Sequence, residues 1–193
     1  MELPGAKFLR ALGLTPNAIT LLGFVVSVAG AFLVSAGWLL VGGIVFLLGG
    51  FLDLFDGALA RLTHTDSPFG ALLDSVFDRL GEASLFVGLA VYSFSGNFSV
   101  GETKFFVTVV LLALIFSQGV SYLRARGEGL GAFTRGGIMT RTERILILGG
   151  GLIVDGLVGF QVIVWVLLVI AVVSCFTLFQ RMFIIRNILD EGG

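Results

Sequence analysis

Charged side chains are scarce in this sequence. They make up 13% of the 193 residues, about half the roughly 25% of an average soluble protein. Hydrophobic residues make up 56%. A soluble chain of this size has no way to hide so much apolar surface, so the surrounding solvent must be lipid. Cys175 is the one cysteine. It excludes an internal disulfide and is expected as a buried thiol. His64 is the one histidine and has no role assigned. A net charge of −1 gives no basis for a nucleic-acid partner. No cleavable signal is expected, because Met1–Gly13 lacks a continuous apolar core followed by a small-residue cleavage site.

Glycine, by contrast, is plentiful. Its 28 residues are about twice the usual share. In membrane helices such small residues let backbones approach closely. Apolar sequence falls into six segments, 17–37, 39–61, 70–95, 104–126, 142–159 and 161–186. Several are near the twenty residues or so that a bilayer core requires. Ahead of them, residues 2–13 set Phe8, Leu9 and Leu12 against Lys7 and Arg10, the pattern of a helix lying on the membrane surface. Thr15 as N-cap and Pro16 in the first turn start the first span. The expected fold is an all-α integral membrane protein, with six transmembrane helices and an N-terminal amphipathic interfacial helix. Residues 1–14 are juxtamembrane and 15–193 form one transmembrane domain. The turn at Asp155–Gly159 decides the count, because without it the helices number five and the C-terminus changes side.

Basic residues place the faces. Lys7, Arg10, Arg61, Arg79, Arg124, Arg126, Arg135, Arg141, Arg144, Arg181 and Arg186 fall at alternate ends of the segments, and Lys104 falls at the other. The positive-inside rule then expects a multi-pass protein of the cell membrane with both termini cytoplasmic.

The chemistry concentrates between Asp53 and Asp78. Asp53 and Asp56 are spaced i, i+3, and Asp74 and Asp78 i, i+4, so each pair projects from one face of its own helix. Pro68 and Gly70 are read as the break between the two helices. A short loop makes those helices antiparallel and lets the pairs face each other. Four clustered carboxylates in apolar sequence raise one another's pKa unless something positive joins them. A divalent cation with hard oxygen ligands, Mg²⁺ or Mn²⁺, is the usual remedy. Gly57 and Ala60, one turn beyond Asp53 and Asp56, would let a ligand reach the helix backbone. Arg61 adds a fixed positive charge suited to a phosphate.

The pattern D-x-x-D-G-x-x-A-R-x8-G-x3-D-x3-D, filled by Asp53, Asp56, Gly57, Ala60, Arg61, Gly70, Asp74 and Asp78, resembles the signature of the CDP-alcohol phosphatidyltransferases. That resemblance implies an integral-membrane enzyme that moves a phosphatidyl group from a CDP-linked lipid to an alcohol and releases CMP. It implies two divalent ions on the four aspartates and Asp78 as the base that deprotonates the acceptor. Asn17 and Thr20 resemble the family's N-x-x-T near the donor headgroup, and Ser67 stands where the family often contacts CDP; with Gly57 and Arg61 these are the expected donor-binding residues. Helix starts explain Asn17, Thr20 and Ser67 equally well.

A second constellation flanks the Gly-rich loop 127–141. Ser121-Tyr122-Leu123-Arg124-Ala125-Arg126-Gly127-Glu128 precedes it, and Thr140-Arg141-Thr142-Glu143-Arg144 follows. Arginines converging from two helix ends, with Glu128 and Glu143 to orient them, suit a phosphate dianion. A plain alcohol would not need them. The S-Y-x-R-A-R-x-E pattern, the later E-R, and L-D-S-x-x-D-R at Leu73–Arg79 resemble the prokaryotic phosphatidylinositol phosphate synthases. By that resemblance Arg124, Arg126, Arg144 and Arg181 would bind the phosphate of inositol 1-phosphate, and a homodimer is expected. Glycerol 3-phosphate is the alternative acceptor. An ion transporter is the competing class, and it would want acids spread over several helices.

Overall fold

A computed structural model describes residues 15–63, 67–95, 98–133, 136–159 and 162–191, with the backbone alone for 53–63 and 191. The expected surface helix at 1–14 lies outside these residues, as do His64 and Arg135. Six helices occur among the described residues: α1 (Pro16–Ser35), α2 (Leu39–Thr63), α3 (Pro68–Tyr92), α4 (Val100–Gly129), α5 (Arg141–Val158) and α6 (Val162–Glu191). No strand occurs among them. Three stretches, Pro16–Ser35, Val100–Gly129 and Val162–Asp190, are long and apolar enough to cross a membrane.

Local chemistry sets most helix ends. Thr15 is extended, and its hydroxyl accepts the Ala18 N–H at 3.3 Å, with Pro16 in the first turn. At the far end of α1, Gly37 takes a φ of +88°. The Gly37 and Trp38 N–H groups return to the Val34 and Leu33 carbonyls, both at 2.9 Å. This glycine-ended reversal satisfies the last carbonyls and lets α2 begin two residues later.

Two helix starts differ by more than one residue from the sequence reading. The break between α2 and α3 falls before Pro68, so Pro68 and Gly70 lie inside the first turn of α3. Proline fits there because the N–H it lacks would have had no helical partner. Ser67 supplies the cap, accepting the Gly70 N–H at 3.0 Å. Helix α4 starts at Val100 and not near 104, because Ser99 and Glu102 form a reciprocal capping box. The doubtful turn between the last two helices is present: Gly159 has a φ of +67°, and its N–H returns to the Asp155 carbonyl at 2.8 Å. The Asp155 carboxylate then accepts the Ile163 N–H at 3.2 Å, so one side chain joins the end of α5 to the start of α6.

The chain divides into two compact units, Met1–Tyr92 and Ser93–Gly193. Within the first, α1 packs against both α2 and α3. Backbones meet there: a methyl group on Gly42 would sit 2.9 Å from the Gly30 carbonyl oxygen, and one on Gly49 2.8 Å from that of Gly23. Glycine at these points is what lets α1 and α2 touch. Within the second unit, α6 packs against α4 and α5.

Both faces of these helices are apolar. Along α1, Ile19, Ala31 and Val34 are buried while Leu21, Val25 and Phe32 are exposed. Along α6, Leu167 and Ile170 are buried while Val172, Phe176 and Phe183 are exposed. A helix that is hydrophobic all round belongs in lipid. Cys175 is half-buried, not enclosed as expected; it lies on the flank of α6, between the packed face of Ser174 and the exposed face of Phe176.

Candidate active site

Asp74 and Asp78 stand one turn apart on α3, and both are half-buried. Helix α2 runs unbroken through Asp53, Asp56, Gly57, Ala60 and Arg61, so the spacing of the first acidic pair is helical, as the sequence required. The side-chain directions of those five residues, and whether the two pairs face each other, lie outside the described residues. The donor set fits a hard divalent cation. Asp74 and Asp78 offer carboxylate oxygens about one turn apart, partly withdrawn from solvent, in a helix of mostly apolar residues.

Two of the expected donor-side residues, Asn17 and Ser67, come together at the starts of α1 and α3. A methyl group on Gly70 would lie 3.2 Å from Asn17 Oδ1 and 3.2 Å from Ser67 Oγ. A methyl there is a tight fit to which both side-chain ends would have to adjust. Thr20, a turn into α1, is buried and donates to the Pro16 carbonyl at 3.2 Å. Thr20 thus bonds back to its own helix and Ser67 caps α3, the local duties their positions allowed.

The second unit gathers the arginines. Arg144 is fully buried at the start of α5 and reaches α4, donating from Nη2 to Ser121 Oγ at 3.3 Å. Arg181 is 3% exposed on α6. Its Nε donates to the Gly136 carbonyl at 2.9 Å and its Nη1 to the Val120 carbonyl at 3.0 Å. Arg181 thereby ties the loop after α4 to α4 itself. Arg144 and Arg181 thus bond adjacent residues of α4, Ser121 and Val120, and Arg124 stands about one turn further along that helix, so three of the four expected acceptor arginines share one neighbourhood. Arg126 is exposed on the last turns of α4. Glu128 orients Arg124 as expected, with Nε to Oε1 at 3.0 Å. That pair is largely solvated and contributes little stability. The Glu143 carboxylate accepts the Thr140 N–H at the start of α5.

Two features escaped the sequence reading. The anchorage of Arg181 on backbone carbonyls has no local signal, because Gly136 and Val120 lie 45 and 61 residues away. Glu82, one turn beyond Asp78, is 1% exposed; its i+4 spacing from Asp78 was there to be seen.

Residues 13–176 match the family model for CDP-alcohol phosphatidyltransferases. The chain belongs to that family. It is an enzyme of the membrane, in keeping with its long apolar helices. Among curated relatives it is similar to the phosphatidylinositol phosphate synthase of Mycobacteroides abscessus, 37% identical over 189 residues, covering 95% of this chain and 83% of that one. It is also similar to the archaetidylinositol phosphate synthase of Pyrococcus horikoshii, 36% identical over 187 residues, covering 96% and 91%. Two crystal structures of the Mycobacterium tuberculosis phosphatidylinositol phosphate synthase match at 33% identity. One, in complex with manganese and citrate, has a TM-score of 0.84 and covers 96% of this chain and 88% of that one. The other, with CDP-DAG bound, has a TM-score of 0.82 and covers 94% and 92%.

Proposed function

We propose that this enzyme transfers a phosphatidyl group from a CDP-linked lipid to the hydroxyl of inositol 1-phosphate and releases CMP. The observation that carries the acceptor is the group formed by Arg124, Arg144 and Arg181, the last two almost without solvent. Three arginines outnumber the two glutamates beside them, Glu128 and Glu143. A phosphate dianion matches that positive excess, and a plain alcohol does not. The donor is supported by the relative that binds CDP-DAG, and the cation by the relative that holds manganese.

In this reading Asp53, Asp56, Asp74 and Asp78 hold two divalent ions, Mg²⁺ or Mn²⁺, whose charge would stabilise the entering and leaving oxygens. Gly57 leaves room for the nucleotide against α2, and Arg61 pairs with its phosphate. Asn17, Thr20 and Ser67 line the donor headgroup. Arg124, Arg126, Arg144 and Arg181 fix the phosphate of the acceptor. Asp78 accepts the proton of the acceptor hydroxyl as its oxygen bonds to the lipid-linked phosphorus. The bond from that phosphorus to the CMP oxygen breaks, and CMP leaves with the electron pair. Six membrane spans, a surface helix at 1–14, a single domain over 15–193, a cytoplasmic active site with both termini on that side, and a homodimer complete the reading.

An assay with radiolabelled CDP-diacylglycerol and each acceptor in turn tests it. Lipid product should form with inositol 1-phosphate, and not with free inositol. Product from glycerol 3-phosphate alone would transfer the assignment to that acceptor.

A further inference from the structure

Residues 136–139 form neither helix nor strand, yet α6 holds them at two points. Arg181 Nε donates to the Gly136 carbonyl at 2.9 Å, and Ser174 Oγ donates to Met139 Sδ at 3.6 Å. Ser174, Thr177 and Arg181 are spaced i, i+3 and i+7, so they form one polar stripe along α6. All three are buried. Gly137 crosses this stripe at close range. A methyl group on it would sit 2.7 Å from Arg181 Nε, 3.1 Å from Arg181 Nη2 and 3.1 Å from Thr177 Cγ2. Its φ of +132° also favours glycine. The segment runs directly into Thr140, the N-cap of α5, and Arg144 follows four residues later. It therefore spans from the carbonyl that Arg181 holds to the helix that carries Arg144. The guanidinium of Arg181 has its Nε and Nη1 on the carbonyls of Gly136 and Val120, which leaves Nη2 to meet an anion. A planar fork fixed in this way is aligned before its ligand arrives, and a shift of about 1 Å is enough to spoil such an alignment.

We propose that Gly137 is a positioning residue for the acceptor: having no side chain, it lets the 136–139 segment lie against Arg181 and hold that guanidinium where it meets the acceptor phosphate. Gly137 acts through Arg181 and touches neither substrate. The inference rests on the acceptor role given to Arg181 above.

The test measures the KM values for inositol 1-phosphate and for CDP-diacylglycerol with the full-length enzyme in lipid nanodiscs. Wild type is compared with Gly137→Ala, Gly131→Ala, Arg181→Lys and the Gly137→Ala, Arg181→Lys double variant. Gly131 is the control for backbone strain, because its φ is +83° but a methyl on it would meet nothing within 4 Å. Gly137→Ala should raise the KM for inositol 1-phosphate about tenfold, as expected when one charge-assisted hydrogen bond is lost, and leave the KM for the CDP-lipid near wild type. Gly131→Ala should leave both KM values near wild type. Arg181→Lys should raise the same acceptor KM, and adding Gly137→Ala should change it little further, since the guanidinium that the methyl displaces is gone. An unchanged acceptor KM in Gly137→Ala overturns the proposal. So do equal rises for both substrates, a full effect on top of Arg181→Lys, or a Gly137→Ala protein that fails to fold, which would make this glycine a requirement of the fold alone. If Arg181→Lys keeps the wild-type acceptor KM, the acceptor role of Arg181 falls, and this inference falls with it.

Discussion

At the scale of single residues, the roles proposed for Asp78 and Arg126 can be separated by kinetics. Replacing Asp78 by Asn keeps its size and removes its ability to take a proton. Asp78→Asn should lose about a hundredfold or more in kcat, the usual worth of a positioned base, while CDP-lipid binding measured by calorimetry is retained. Near wild-type turnover would place the base elsewhere. Arg126 is exposed, so its loss disturbs little packing. Arg126→Ala should raise the KM for inositol 1-phosphate about tenfold, as expected for one charge-assisted hydrogen bond, and leave the KM for the CDP-lipid nearly unchanged. Equal effects on both substrates would remove its acceptor role. Arg181 is a different case, because two of its nitrogens already hold the carbonyls of Gly136 and Val120.

At the scale of helices, contact is decided by small residues and boundaries by caps. Gly49 lies against the Gly23 carbonyl and Ser27 of α1. Gly49→Val should therefore force α1 and α2 apart and cost about 1–3 kcal/mol, the range for overpacking, read as a lower melting temperature in detergent. An unchanged melting point would mean the interface is looser than drawn. The capping box of Ser99 and Glu102 starts α4. Both residues were visible as S-x-x-E in the sequence, yet the apolar run begins later and drew the boundary inward. At Asp155 the apolar pattern hardly pauses, and what ends α5 is the positive φ of Gly159 together with the carboxylate that caps α6.

At the scale of the whole molecule, exposed apolar faces on α1, α4 and α6 make lipid part of the fold. The protein should stay with the membrane fraction through a carbonate wash and leave it with detergent. In the proposed reading the cation is a second external partner. Chelation should abolish transfer, and Mg²⁺ or Mn²⁺ should restore it, followed by release of labelled CMP. Activity that survives exhaustive chelation would exclude metal from the reaction.

Composition and spacing determined much of this. Scarce charge and long apolar runs specify helices in lipid, since backbone polar groups there must pair within their own segment. The acidic motif could be read directly because helical spacing is local: residues three or four apart share a face whatever the rest of the chain does. The tertiary structure decided what depends on distant residues. It placed Arg144 on Ser121 and Arg181 on Gly136 and Val120, set Asn17 beside Gly70 and Ser67, and enclosed Glu82. Burial and charge neighbourhood are properties of packing between helices, and no pattern within a single helix carries them.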